Sequence, residues 1–254
     1  MSMSEEVRQL FEGAKKDYHE IGGLKSFRSG QWLFEIIQRS FKVYWENANV
    51  EYFEAKYGTS DKLKIARKLT SVTARNAAIL GSITGLAVSA DELVTFFTAA
   101  EGGIGLPANI AIAATAAGAE AILLVKFQLQ LVANLAKLKG IPLDPEDPED
   151  ILVILAYALG GAASEAAGKV GVKVGGKLAG RAAKKVFSKE LLATLKKLAA
   201  KVGIKLLQSS IIKYTIPLAS IAIGSSWNYW AIRSVAKIAD IHFEGRLRDI
   251  NSKT

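Results

Sequence analysis

The chain has 254 residues, half of them hydrophobic, and carries 33 Lys and Arg against 24 Asp and Glu, a formal charge of +9. That length is enough to bury a large core, and the composition is too apolar for a disordered chain and, with 5 prolines, too poor in proline for a linker. With no cysteine, disulfides, thiolate zinc sites, cysteine nucleophiles and dithiol redox chemistry are excluded.

Met1 to Lys16 is polar and amphipathic, without the apolar core or cleavage pattern of a signal peptide, so cytoplasmic residence is the expectation. Val7, Leu10, Phe11, Ala14 and Tyr18 recur at helical spacing, and Ser2 with Glu5 reads as a capping box at the start of that helix. A Gly/Ser-containing connector is expected from Gly22 to Gly30. Leu33, Ile37, Phe41, Tyr44, Ala48, Tyr52 and Ala55 then form one long stripe, ended by Gly58, with Ser60 or Asp61 able to cap the next helix. In that helix Leu63, Ala66, Leu69, Thr73, Ala77, Leu80, Thr84 and Val88 are expected to line one face.

The segment from Glu101 to Pro107 reads as a turn, with Pro107 at the first position of an Ala-rich helix that runs to about Lys139 and stops at Gly140. In the acidic run from Asp144 to Asp150, Asp147 as N-cap followed by Pro148 is a helix-start signal; cation binding there is the weaker reading. The next helix begins at Ile151 and reaches Gly160. Over residues 162–186 the alternation of Val170, Val172 and Val174 allows a strand, but the i+4 series Lys169, Lys173, Lys177, Arg181 and Lys185 argues for a helix. Leu191, Leu192, Leu195, Leu198, Val202 and Leu206 share one face of a further helix, with lysines opposite. Pro217 opens the last helix, through Trp227, Tyr229 and Trp230 to about Phe243. The expected fold is all-α: a single multi-helix bundle with long Ala/Gly-rich central helices.

Residues 102–125 and 214–232 approach the length of a membrane span, but Gly, Ala, Ser, Thr and Asn dilute both, and central helices of a large bundle look the same. The GxxxG spacings at Gly81, Gly171 and Gly176 would permit close helix contact in either setting.

Few motifs carry chemistry. Gly171 to Leu178 matches the front of a phosphate-binding loop, but Leu178 stands where Ser or Thr must hold Mg²⁺ and no strand precedes it. Gly102-Gly-Ile-Gly105 lacks the third glycine of a dinucleotide fingerprint. Ser210 and Lys213 match SxxK without a companion motif. His19 and His242 are the only histidines and have no metal spacing, so neither a metal nor a cofactor is expected. Asp91, Glu92 and Glu120 are candidate carboxylates. Glu120, inside an apolar helix, is the most unusual of them and fits either a basic partner or a pocket. Trp227, Tyr229 and Trp230 fit core packing best, with a lipid interface or base stacking as the other readings.

The charge is concentrated. Between Lys169 and Lys213 there are twelve cations and one acid, Glu190, a net +11 that leaves −2 for the rest of the chain. Such asymmetry points to an anionic partner, although a solvated helical face would carry the same residues. Phe187 is the one aromatic residue between 169 and 205, which disfavours nucleic acid and leaves lipid.

The stretch Gly102-Gly-Ile-Gly-Leu-Pro-Ala-Asn109 with its Ala/Leu helix ending near Leu138-Lys-Gly140, and the later pattern Pro217, Gly224, Asn228-Tyr229, Arg233, Ala236, Phe243, resemble the EcsC protein family. The resemblance covers roughly residues 60–245. It implies residues 1–58 as an N-terminal helical extension packed on the core, 59–245 as an EcsC-like helical domain and 246–254 as a tail. The family usually has an acidic residue where Asn109 stands here, so no carboxylate role carries over to that position. The resemblance implies an α-helical, bacterial, membrane-associated protein, some members being encoded beside components of ABC transporters, and it supplies no catalytic site.

Composition and resemblance together lead to the expectation of a non-enzymatic, membrane-associated or lipid-interacting helical protein, accessory to a transport or secretion system. It would sit at the inner face of the membrane, with Lys169, Lys173, Lys177, Arg181, Lys185, Lys197 and Lys201 facing anionic headgroups and a membrane protein complex as a further partner. The alternative is an enzyme acting on a lipid-like substrate in an apolar pocket, with Glu120 or Asp91/Glu92 as its acid or base.

Overall fold

The computed structural model describes residues 2–87, 108–144, 150, 154, 196, 197, 199, 200 and 219–251. Among these the fold is all-α and contains no strand. The helices are α1 (Met3–Glu20), α2 (Gly23–Ser29), α3 (Gln31–Asn47), α4 (Val50–Tyr57), α5 (Lys62–Ala87), α6 (Ala108–Lys139) and α7 (Ala219–Asn251).

Local sequence explains most of the boundaries. The Ser2 hydroxyl accepts from the Glu5 N–H while the Glu5 carboxylate accepts from the Ser2 N–H at 2.7 Å, completing the capping box of α1. Val7, Phe11, Ala14 and Tyr18 are buried; Leu10, expected on the same face, is 43% exposed. The expected connector from Gly22 to Gly30 instead contains α2. Glycines with positive φ, Gly22 at 94° and Gly30 at 74°, bracket this helix, and Phe27 anchors it in the core.

The single stripe expected from Leu33 to Ala55 is also corrected. The helix breaks after Asn47, and the Asn49 side chain accepts from the Tyr52 N–H at 3.0 Å to start α4. The break resets the helical phase, so Phe53 faces inward (8% exposed) and Tyr52 faces out (54%). Gly58 ends α4 in the left-handed region (φ 62°), and Asp61 caps α5 by accepting from the N–H groups of Leu63 and Lys64. In α5 Leu69, Ala77, Leu80 and Thr84 are buried as expected, but Ile65 is buried and Leu63 exposed. Gly140 (φ 70°) terminates α6. Helix α7 continues to Asn251, beyond the expected end near Phe243.

Two compact units organise these helices. The first comprises residues 1–33, 75–124 and 195–230; the second comprises 34–74, 125–194 and 231–254. In the first, Phe27 stacks on Trp32 with ring centroids 4.5 Å apart, and neither ring has exposed surface. Tyr18 leans on Phe27 at 5.7 Å, and its ring lies against α6 at Gly118, where a β-carbon would collide with it. In the second unit, the Lys137 ammonium lies 4.3 Å from the Trp45 ring centroid, Lys139 pairs with Asp240 and Glu244, and Arg246 pairs with Asp150.

One helix among the described residues is long and apolar enough to cross a membrane, the stretch Ala114–Lys139 of α6, and 78% of its apolar window is buried inside the protein. A core helix passes the same test.

Candidate anion-facing surface

The basic segment meets the first unit at residues 196–200. Gly30, in its left-handed conformation, brings its backbone so close to the Lys196 carbonyl that any side chain there would collide with it. Two residues on, the Trp32 indole N–H donates to the Ala199 carbonyl at 3.2 Å, and Ala199 is fully buried. With Ala199 turned inward, Lys197 is exposed and Lys196 half-buried. Lys197 therefore points to solvent, as expected of this face. Lys169, Lys173, Lys177, Arg181, Lys185 and Lys201 lie outside the described residues, as do the valine alternation at 170–174, the glycine-rich match at 171–178, Gly102 to Gly105, Asp91, Glu92, Pro107, Asp147, Pro148, Ser210 and Lys213.

The C-terminal helix adds two aromatics to the surface of the first unit. Trp227 is 50% and Trp230 71% exposed, so the core packing expected for this cluster is not observed for either. Tyr229 is half-buried. The buried line of α7 runs through Asn228, Ile232, Val235, Ala239 and Phe243, at spacings of three and four residues. That periodicity, read from Phe243 backwards, would have turned the tryptophans outward.

Glu120 is buried (3% exposed) on the Ala-rich part of α6, and the Asn228 side-chain amide donates to its Oε1 at 2.8 Å. Asn228 is itself 1% exposed. A neutral amide therefore contributes to holding this carboxyl group, through a hydrogen bond between two helices far apart in sequence. The amide partner was missed in the sequence, where only a basic partner or a pocket was considered.

In the second unit, the acidic run expected to cap a helix does other work at its last residue. Asp150, 8% exposed in its side chain, accepts from the Asp144 N–H through Oδ2 and from Arg246 through Oδ1, both at 2.6 Å. One carboxylate thus links the Asp144 backbone to Arg246 of α7. His242 lies beside this pair. Burial pushes its pKa below 6.5, the Arg246 charge lowers it further, and Asp150 opposes both. His19 is exposed, with its Nε2 3.5 Å from the Thr115 hydroxyl.

Comparison of the chain with models of protein families, with curated proteins and with solved structures finds no match.

Proposed function

We propose that this is a peripheral, non-enzymatic membrane protein of the EcsC-like helical type, docking on the anionic inner face of a membrane through the basic segment 169–213 and serving as an accessory to a transport or secretion complex. The observation that carries this reading is the charge partition, +11 within that segment against −2 for the rest of the chain. Near an anionic surface each Lys or Arg adds about 1 kcal/mol of attraction before screening. Two features of the first unit support it. Anchoring by Trp32 and Gly30 turns Lys197 outward, and Trp227 and Trp230 present amphipathic rings of the kind that settle at headgroup level. The burial of α6 within the protein favours docking over spanning.

Co-sedimentation with vesicles tests this. The protein should pellet with anionic phospholipid vesicles at low salt and stay in solution with neutral ones. Lys173→Glu, Lys177→Glu and Arg181→Glu together should weaken anionic binding by at least about a hundredfold, the loss of three near-surface cations. Equal pelleting with neutral vesicles, or none with anionic ones, would sink the reading.

A further inference from the structure

The corner between α4 and α5, in the second unit, gathers five exposed cations. Helix α5 has no acidic residue in its first turn and instead places Lys62 and Lys64 there, at the end where the helix dipole repels cations. Lys64 and Lys68 are spaced i, i+4, a like-charge pair that weakens a helix. Arg67 adds a fourth cation, and all four are exposed. Leu63 stands among them with 58% of its surface exposed.

Helix α4 extends the patch. The Lys56 ammonium lies 5.3 Å from the Tyr52 ring centroid and donates to the Tyr52 hydroxyl at 3.3 Å. Lys68 lies 5.2 Å from the Tyr57 centroid and donates to the Tyr57 carbonyl at 3.3 Å, which ties the two helices into one surface. The acids nearby cancel it only in part. Asp61 caps α5, with the Lys64 backbone N–H foremost in holding its pKa down, and it pairs with the Lys64 ammonium at 3.6 Å. At about 100° per residue, Glu51 and Glu54 lie about 100° and 160° around α4 from Tyr52, whereas Lys56 lies only about 40° away.

We propose that this corner is a second headgroup-binding surface, on which Lys56, Lys62, Lys64, Arg67 and Lys68 face anionic phospholipid while Leu63 and Tyr52 enter the interfacial layer. The proposal rests on the reading that the protein works at a membrane. Its occupant follows from the chemistry of the patch. Four of the five cations are lysines, point charges suited to a diffuse anionic surface rather than to the bidentate geometry of base edges. An exposed leucine among cations finds an apolar layer in a bilayer and none along a phosphate backbone.

The test is a variant whose two readouts move in opposite directions. Lys62→Glu with Lys64→Glu places acids at the α5 N-terminus, so the thermal midpoint should rise while affinity for anionic vesicles falls by about thirtyfold, the loss of two near-surface cations. Leu63→Ser should weaken vesicle binding and leave its salt dependence unchanged. Wild-type protein and the 173/177/181 variant are measured alongside. If wild type fails to bind anionic vesicles, both readings fall. If wild type binds and the Lys62/Lys64 variant binds equally well, only the corner is overturned. Loss of binding to a duplex oligonucleotide, with vesicle binding intact, would also overturn it.

Discussion

Glu120 is a buried carboxyl group in the Ala-rich part of α6, and the Asn228 amide is part of what makes that burial tolerable. Removing the donor alone should be costly, because a buried polar group loses one of its bonds. We expect Asn228→Leu to destabilise the protein by about 2 kcal/mol. Replacing both partners, as Glu120→Met with Asn228→Leu, should recover part of the loss, since neither side of this bond is then left unsatisfied. Urea denaturation of the two single variants and the double variant measures the coupling, and additive effects would contradict the pairing. His242 sets a pH response at the same scale. Its pKa is lowered on folding, so below pH 6.5 the unfolded chain binds the proton more readily. Stability should be full above that pH and decline as pH falls from it toward the depressed value in the folded protein. His242→Gln should flatten the urea midpoint across this interval, and an unchanged slope would place the response elsewhere.

Helix boundaries obey rules that act within a turn, and here those rules were readable. Ser2 with Glu5, Gly58 and Gly140 stand where capping chemistry puts them. The break at Asn49 was hidden because Leu33, Ile37, Phe41, Tyr44, Ala48, Tyr52 and Ala55 keep helical spacing straight through it; only the Asn49 side chain, bonding the Tyr52 N–H, reveals the new start. Helix α2 was hidden for a different reason. Its glycines signal turns, and the element exists because Phe27 stacks on Trp32 in the core. The glycines that end elements should not be equivalent under mutation. At Gly58 (φ 62°) nothing lies near an added β-carbon, so Gly58→Ala should cost only the left-handed strain, about 1 kcal/mol. At Gly30 the same strain is joined by collision with the Lys196 carbonyl. Gly30→Ala should therefore cost roughly twice as much or more and raise hydrogen exchange at residues 196–200, a local loosening that Gly58→Ala should not produce.

For the whole molecule the decisive quantity is where charge sits. If segment 169–213 and the α4–α5 corner act electrostatically, vesicle binding should weaken steeply as salt shortens the screening length from about 10 Å at 0.1 M to about 3 Å at 1 M. Binding insensitive to salt would assign it to Trp227 and Trp230 instead. The helical class, most of the caps and the concentration of positive charge were determined by the sequence alone, because they depend on residue type and on neighbours within one turn. The sequence could not tell which helical face turns inward after a break. Nor could it reveal that Glu120 meets an amide 108 positions away. Those outcomes depend on packing between helices distant along the chain, and the tertiary structure decided them by burying one face of each helix at the expense of the other.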